Sequence, residues 1–154
     1  MPREGEPATE FSLPNQDGEE ISLSDFAGRW LVVYFYPRAD TPGCTTEACE
    51  IRDDWDRFTD RDIGVVGISD DPVTDLKAFA EKFDLPFDLL SDETGEVSAA
   101  YDSYKEKTAY GNTFMGVVRN TYVVDPEGDI AAVYEDVTPE GHAEELLSEI
   151  PAEA

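Results

Sequence analysis

The chain has 154 residues, of which 40% are hydrophobic, and this is enough for one compact core. We therefore expect a single domain over residues 1–154. No apolar stretch is long enough to span a bilayer, and the first eleven residues lack the apolar segment of a signal peptide, so we expect a cytoplasmic protein. A net charge of −25, from 36 acidic and 11 basic residues, argues against nucleic acid or an anionic membrane as a partner.

The acidic residues are spread through apolar patterns, which indicates a folded domain with an acidic surface and not a disordered tail. This composition resembles that of proteins from salt-in halophiles, in which concentrated salt screens the repulsion between like charges. The pairs Asp53–Asp54 and Asp70–Asp71 are expected on this solvated surface, because neither has the interleaved ligands and glycine of a calcium loop.

Buried strands are predicted from apolar runs that are rich in Val, Ile and Tyr. The main runs are residues 30–36, 63–69, 121–124 and 130–134, with a shorter one at 87–90. The first two are nearly continuous, as in central strands that are covered on both faces. Two further apolar pieces, residues 11–13 and 21–23, flank an Asn-Gln-Asp-Gly turn and predict a small N-terminal hairpin.

Helices are predicted where apolar residues recur every three or four positions. Three of them cover residues 44–60, 73–83 and a shorter 94–101. The last has its apolar stripe at 143–150, is opened by Thr138 or Pro139 and is closed by Pro151. The alternation of strands and helices indicates an α/β fold with a partly parallel sheet and a final antiparallel pair. Because reactive sites in open α/β sheets lie beyond the carboxyl ends of the strands, we expect the chemistry in the loop after residue 36.

The two cysteines, Cys44 and Cys49, stand five positions apart after that loop begins. In a reducing compartment such a pair points to redox chemistry more readily than to a structural disulfide. A metal site would need more ligands than two thiols and the one histidine, His142, which we expect at the surface without a role. From spacing alone, a small core residue at position 44 with a bystander at position 49 fits equally well.

Two prolines and a glycine deliver Cys44 to the first turn of the predicted helix, where free backbone N–H groups and the helix dipole favour a thiolate. Efficient attack on a peroxide also needs hydrogen-bond donors aimed at its two oxygens. Thr41 is close enough in sequence to supply a hydroxyl, and Arg119, just before the third main strand, is the best-placed arginine outside the loop. Position alone also fits an ordinary surface arginine at 119 and a helix N-terminal charge at Glu47.

Residues 35–45, Phe-Tyr-Pro-Arg-Ala-Asp-Thr-Pro-Gly-Cys-Thr, resemble the peroxidatic loop of the peroxiredoxins. The pattern of that loop is Pro, three residues, Thr or Ser, two residues and Cys, and it is filled by Pro37, Thr41 and Cys44. A second cysteine five residues further on is typical of the Q-type subfamily, also called bacterioferritin comigratory protein. Residues 115–125 are similar to the segment that carries the family's second active-site arginine, and the similarity extends from the opening hairpin to the last helix.

The resemblance implies a thioredoxin-like α/β fold with the peroxiredoxin additions, that is, an N-terminal hairpin and a central mixed sheet flanked by helices. It also implies that Cys44 is the peroxidatic cysteine and that Cys49 is the resolving cysteine. Thr41 and Arg119 would be the partners of the peroxide and of the thiolate.

Three further residues take supporting roles by the same resemblance. Pro37 and Gly43 belong to the peroxide-binding pocket, where Pro37 shields the thiolate, and Glu47 matches a position at which the family often has Glu or Gln. Two positions depart from the family. Arg38 stands where many members have lysine, and Asp40 puts a negative charge close to the thiolate, which opposes its ionisation.

The implied reaction is the reduction of hydrogen peroxide and organic hydroperoxides by the Cys44 thiolate, through a sulfenic acid and then an intramolecular Cys44–Cys49 disulfide. A thioredoxin-like or other dithiol protein would reduce that disulfide, no metal or organic cofactor is implied, and the protein would be a monomer or a dimer. Two alternatives stay open. One is a thioredoxin-fold oxidoreductase that acts on protein disulfides and normally carries Cys-x-x-Cys, and the other is a non-enzymatic acidic binding module.

Overall fold

The computed structural model of the chain describes residues 3–39, 41–109 and 111–150, so that Asp40 lies outside the described residues. These residues form nine strands and five α-helices, with a short 3-10 helix at Leu23–Phe26. The strands are β1 Ser12–Pro14, β2 Glu20–Ser22, β3 Trp30–Phe35, β4 Ile63–Ser69, β5 Asp88–Ser91, β6 Tyr104–Ala109, β7 Asn112–Val117, β8 Thr121–Val124 and β9 Ile130–Tyr134. The helices are α1 Pro42–Asp53, α2 Trp55–Asp60, α3 Val73–Phe83, α4 Glu96–Ala100 and α5 His142–Glu149.

Five strands form the central sheet, in the order β5-β4-β3-β8-β9. The middle strand, β3, runs parallel to β4 and pairs antiparallel with β8. The strands β4 and β5 are also parallel, whereas β8 and β9 form an antiparallel hairpin. The predicted mixed sheet, with a parallel half and a final antiparallel pair, is confirmed.

Side chains that alternate along β3 contribute to two separate cores. Val32 and Tyr34 belong to a core that includes buried side chains of α1, α2, α3 and α5. Leu31, Val33 and Phe35 belong to the core on the opposite face, which is closed by the N-terminal hairpin, α4 and the β6–β7 hairpin. The strand is therefore covered on both faces, as its continuous apolar run predicts.

One helix boundary differs from the prediction. The predicted helix 44–60 is divided at Asp54 into α1 and α2. Asp54 has φ −99° and ψ 11°, and its carbonyl oxygen accepts hydrogen bonds from the N–H groups of Arg57 and Phe58, which begin the second helix. Two successive aspartates are weak helix formers, which favours a break in the helix at this point. The spacing of the apolar residues does not reveal the break, because the apolar stripe continues on both sides of it.

The hairpin of β6 and β7 was not predicted from the sequence. Its strands pair antiparallel from Tyr104 opposite Val117 to Ala109 opposite Asn112. The strand β6 is dominated by Lys, Glu and Thr, so it lacks the apolar run or clear alternation that marks a strand. The other predicted elements, including the N-terminal hairpin, β5, α4 and α5, are confirmed with boundaries shifted by a few residues.

The expectation that His142 lies at the surface is wrong, because the residue is only 2% exposed. Its Nε2 lies 2.9 Å from Thr121 Oγ1, and its Nδ1 lies 2.9 Å from Glu145 Oε1. Burial lowers the pKa of His142, although its contact with Glu145 opposes that shift. The side chain joins the start of α5 to the start of β8, which is a structural role.

The surface carries most of the negative charge. Among the described carboxylate residues only Glu47, Asp71 and Asp92 are buried, so the remaining ones face or border solvent. Within the described ranges, no helix combines the length and apolar character needed to cross a membrane.

We expect the melting temperature to rise with potassium chloride up to molar concentrations. The net charge of −25 repels itself across the surface. The Debye length falls from about 10 Å at 0.1 M to about 3 Å at 1 M, so screening continues to reduce repulsion between closer charges. Thermal melts over a series of salt concentrations measure the effect. A melting temperature that stays flat or falls between low and molar salt would contradict the expectation.

Candidate active site

The loop that leads to Cys44 lies at one edge of the central sheet. The strands β3, β4 and β5 are parallel, so their carboxyl ends meet at this edge. Tyr36 extends the pairing beyond β3, because its N–H donates to the carbonyl oxygen of Ile68 at 3.0 Å. The helix α1 begins shortly afterwards, at Pro42.

Cys44 is the third residue of α1, which begins at Pro42 with Thr41 as its N-cap. The first hydrogen bond within the helix runs from the N–H of Thr45 to the carbonyl oxygen of Thr41, at 2.8 Å. The Thr41 side chain does not cap the helix and donates instead to the carbonyl oxygen of Arg38, at 2.8 Å. N–H groups of the first helical turn have no partner within the helix, so they favour an anion at this end.

A single guanidinium connects the thiol to a buried carboxylate. Arg119 Nη2 lies 3.5 Å from Cys44 Sγ, and Arg119 Nη1 donates to Glu47 Oε1 at 3.1 Å. The Arg119 side chain is 16% exposed, so its charge acts in a largely desolvated setting. Cys44 and Glu47 lie one helical turn apart on α1, and the planar fork of the arginine reaches both.

The backbone around Arg119 is fixed by neighbouring segments. Its carbonyl oxygen accepts from the N–H of Val137 at 2.7 Å. The next residue, Asn120, is buried, donates through its amide to Ser103 Oγ at 3.0 Å and accepts from the N–H of Asp136 at 3.0 Å. These contacts tie the segment between β7 and β8 to the turn before β6 and to the chain after β9, which sets the direction of the arginine.

Gly43 provides the space that the guanidinium occupies. A Cβ atom added at this position would lie 3.0 Å from Arg119 Nη2 and 3.4 Å from Pro139 Cγ. A contact of 3.0 Å is tighter than side chains normally accept, so an alanine here would push the arginine away from the first turn of α1. The absence of a side chain at Gly43 therefore keeps Arg119 close to Cys44.

Glu47 is 1% exposed, and its Oε2 has no hydrogen-bond partner among the described residues. Burial raises the pKa of Glu47 from 4.5 to about 7, although the positive charge of Arg119 opposes the shift. The carboxyl group therefore changes its charge close to neutral pH. When Glu47 is protonated and neutral, a Cys44 thiolate is the only anion of this pair that Arg119 still contacts.

The second cysteine, Cys49, is half-buried on the same helix, and both cysteines are free thiols. Pro37 is half-buried in the loop between β3 and α1. Of the predicted site residues, the structure thus brings Cys44, Gly43, Glu47 and Arg119 into one cluster, with Thr41 at the end of the same helix. Cys49 lies more than one helical turn away from Cys44.

The expectation that Asp71 lies on the solvated surface is wrong. Asp71 is 2% exposed, and its Oδ2 accepts from the N–H of Ala39 at 2.7 Å and from Ser69 Oγ at 2.8 Å. Its position two residues after the end of β4, at the edge of the sheet where α1 begins, is the signal that could have identified it.

Lys107 is a second residue near the site that was not predicted from the sequence, because it lies in the unpredicted hairpin of β6 and β7. Its Nζ donates to the carbonyl oxygen of Val117. Burial lowers the pKa of Lys107, whereas the charges of Asp70 and Cys44 oppose that shift. The lysine therefore adds positive charge within electrostatic range of the thiol.

Comparison with known proteins agrees with this geometry. Residues 5–133 match the model of the AhpC/TSA family. The chain is 42% identical to peroxiredoxin Bcp of Escherichia coli over 144 residues, which cover 94% of this chain and 92% of that protein.

Two solved structures share both the fold and part of the sequence. Peroxidoxin BcpB of Mycobacterium tuberculosis superimposes with a TM-score of 0.85 at 35% identity, covering 96% of each chain. The bacterioferritin comigratory protein of Xanthomonas campestris, described for its alkyl peroxide reduction activity, gives a TM-score of 0.84 at 34% identity, over 90% of this chain and 88% of that chain. The predicted thioredoxin-like fold with an N-terminal hairpin and a mixed sheet is thereby confirmed. The chain belongs to the AhpC/TSA family and, within it, to the peroxiredoxins of the Q type, or bacterioferritin comigratory proteins.

Proposed function

We propose that this chain is a thiol-dependent peroxidase in which Cys44 is the peroxidatic cysteine. The observation that carries the proposal is the 3.5 Å contact between Arg119 Nη2 and Cys44 Sγ in the first turn of α1. A neighbouring cation and the positive end of a helix both favour a thiolate over a thiol. The thiolate is the form that can attack an O–O bond.

The thiolate attacks one oxygen of the hydroperoxide, and an S–O bond forms as the O–O bond breaks. The sulfur is oxidised to a sulfenic acid, while the second oxygen leaves with the electron pair and takes up a proton to become water or an alcohol. Because the Xanthomonas campestris relative is described for alkyl peroxide reduction, we include alkyl hydroperoxides with hydrogen peroxide as substrates.

Thr41 and Arg119 are the residues that would hold the peroxide. The Thr41 hydroxyl donates its single proton to the carbonyl oxygen of Arg38, so the lone pairs of Oγ1 remain available to accept the peroxide proton. Arg119 Nη2 already faces the sulfur and would donate to peroxide oxygen as negative charge develops on it. Removing one such donor from an enzyme site typically slows the reaction by about a hundredfold or more.

Pro37 and Gly43 would shape the pocket around these groups. Pro37 is half-buried before α1, where its apolar ring would limit the access of water to the thiolate. Gly43 leaves room for the guanidinium, since a Cβ atom there would crowd Nη2 at 3.0 Å. Glu47 would set the direction of the arginine through its contact of 3.1 Å with Nη1.

Cys49 is the proposed resolving cysteine, which condenses with the sulfenic acid to a disulfide and releases water. On an intact helix, residues five apart have Cα atoms about 8.5 Å apart. A disulfide requires a Cα separation of roughly 4.4 to 6.8 Å. The helix α1 therefore has to unwind between peroxide attack and disulfide formation.

A dithiol protein of the thioredoxin type is the proposed reductant, because it can cleave the disulfide by thiol–disulfide exchange. We place the protein in a cytosol, where reducing conditions keep the reductant and the two cysteines in the thiol form between turnovers. The acidic surface suits a protein that works in concentrated salt. Two cores on the faces of one sheet support a single domain for the chain.

We expect Cys49→Ser to separate peroxide attack from turnover. The rate of the first attack should stay within about twofold of wild type, because Cys49 does not contact the reacting sulfur before α1 unwinds. Steady-state turnover with a thioredoxin-type reductant should stop, and Cys44 should proceed to sulfinic acid under excess peroxide. Mass spectrometry of the peptide with Cys44 would detect two added oxygens.

Cys44→Ser is the matched control, and it should abolish peroxide consumption altogether. Full turnover by Cys49→Ser with a protein dithiol would show that Cys49 is not needed for resolution. An unchanged rate in Cys44→Ser would refute the assignment of the peroxidatic cysteine.

We expect Glu47→Gln to change how stability depends on pH. The pKa of Glu47 is raised from 4.5 to about 7 by burial, so the folded state binds this proton more tightly than the unfolded state. The resulting stabilisation is fully present below pH 4.5 and is lost as the pH rises through about 7. Between pH 5 and pH 8 the wild type should therefore lose about 2 kcal/mol relative to Glu47→Gln.

Urea unfolding of both proteins at several pH values measures this difference. Replacing the carboxyl group by an amide, whose oxygen can still accept from Arg119, adds an offset between the two proteins that does not depend on pH. The test therefore compares how steeply the stability of each protein changes with pH. Parallel stability curves for the two proteins between pH 5 and pH 8 would contradict the raised pKa.

A further inference from the structure

The peptide unit between Arg38 and Ala39 is held from both sides at the reactive edge of the sheet. Its N–H, that of Ala39, donates to Asp71 Oδ2 at 2.7 Å. Its carbonyl oxygen, that of Arg38, accepts the proton of the Thr41 hydroxyl at 2.8 Å. Because a peptide unit is planar, fixing the direction of the N–H also fixes the direction of the carbonyl group.

Asp71 is a rigid anchor for this peptide unit. It is 2% exposed, and its Oδ2 also accepts from Ser69 Oγ at 2.8 Å. Its own carbonyl oxygen accepts from Ser91 Oγ at 2.6 Å. Ser69 and Ser91 are the last residues of β4 and β5. The side chain of Asp71 is therefore fixed to the end of β4 and its backbone to the end of β5.

A buried carboxylate at this place carries two penalties. Its desolvation is unfavourable, and its negative charge opposes the formation of a thiolate nearby. The ion pair with Arg38 compensates weakly, because Nε lies 3.9 Å from Oδ1 and the Arg38 side chain is 65% exposed. A charged acceptor gives a stronger hydrogen bond to the Ala39 N–H, and it polarises the peptide unit so that the Arg38 carbonyl becomes a better acceptor.

We propose that Asp71 is a positioning residue for peroxide reduction that acts through the Arg38–Ala39 peptide unit on the Thr41 hydroxyl. By orienting this peptide unit, Asp71 keeps the Thr41 hydroxyl donating its hydrogen bond to the Arg38 carbonyl oxygen. The lone pairs of Thr41 Oγ1 then face the peroxide. The bonds that form and break are those of the proposed peroxidase reaction, on which this inference rests. Asp71 itself does not touch the reacting atoms.

A double-mutant cycle tests this path. The second-order rate constant of the reduced protein with hydrogen peroxide is measured by stopped flow for Asp71→Ala, Thr41→Val and the double variant. Misplacing a catalytic group by about 1 Å typically costs about a hundredfold, so Asp71→Ala should slow wild type by about tenfold to a hundredfold. In the Thr41→Val background, Asp71→Ala should lower the rate constant by less than about twofold, because the Thr41 hydroxyl that Asp71 positions is absent.

If the role of Asp71 is merely structural, Asp71→Ala should lower the rate constant by the same factor with Thr41 and with Val at position 41. This result would overturn the proposal. An unchanged rate for Asp71→Ala in the wild-type background would overturn it as well. If Asp71→Ala does not fold, Asp71→Asn carries the test, since its amide oxygen can still accept from Ala39 and Ser69. That variant should be about threefold slower than wild type, and this effect too should vanish with Thr41→Val.

Two controls separate positioning from effects of charge. Asp70→Asn removes a carboxylate next to Asp71, and its rate should match wild type. Alkylation of Cys44 by iodoacetamide needs the thiolate but not the Thr41 hydroxyl, so Asp71→Ala should not slow it, and the loss of an opposing negative charge should act in the direction of faster alkylation. If alkylation slows as much as peroxide reduction, Asp71 acts on the thiolate and the proposal fails. A wild-type protein that does not consume peroxide would instead refute the proposed function.

Discussion

The first turn of α1 imposes the constraint on which the rest of the site depends. Cys44 meets Arg119 and the free N–H groups only while this turn is folded. Cys49 lies on the same helix, too far away for a disulfide while the helix is intact. In the proposed mechanism, peroxide attack and disulfide formation therefore need two different states of one short segment. The folded state of this segment has to be stable and still able to open.

The contacts of α1 fit that requirement. Ala48 and Ile51 are buried in the core, Glu50 Oε1 accepts from the N–H of Gly141 at 2.8 Å, and Arg52 Nη1 donates to the carbonyl oxygen of Phe83 at 2.7 Å. Exposing part of the buried face would cost on the order of a few kcal/mol, which the new covalent bond can offset. The break at Asp54 separates α1 from α2, so unwinding can stop there without disturbing the second helix.

Much of this architecture could be predicted from the sequence, because continuous apolar runs and the loop around Cys44 are local patterns. The predictions that were wrong concern residues whose environment depends on contacts between distant parts of the chain. Asp71 is buried where Ser69 and Ser91 bind it at the edge of the sheet. His142 is buried beside Thr121, which is distant in sequence. The sequence around Asp71 and His142 does not reveal these contacts. The position of Arg119 before a strand was predictable, whereas its contact with Glu47 depends on how distant segments pack.

Hydrogen exchange on the reduced and disulfide forms tests the two-state helix most directly. We expect protection to be lost in residues 44 to about 52 on oxidation, while the central strands β3 and β4 keep theirs. Reduced Cys49→Ser, which cannot form the bond, serves as a reference for the intact helix and should stay protected there. Equal protection of this segment in both forms, with the Cys44–Cys49 disulfide confirmed by mass, would contradict the unwinding of α1.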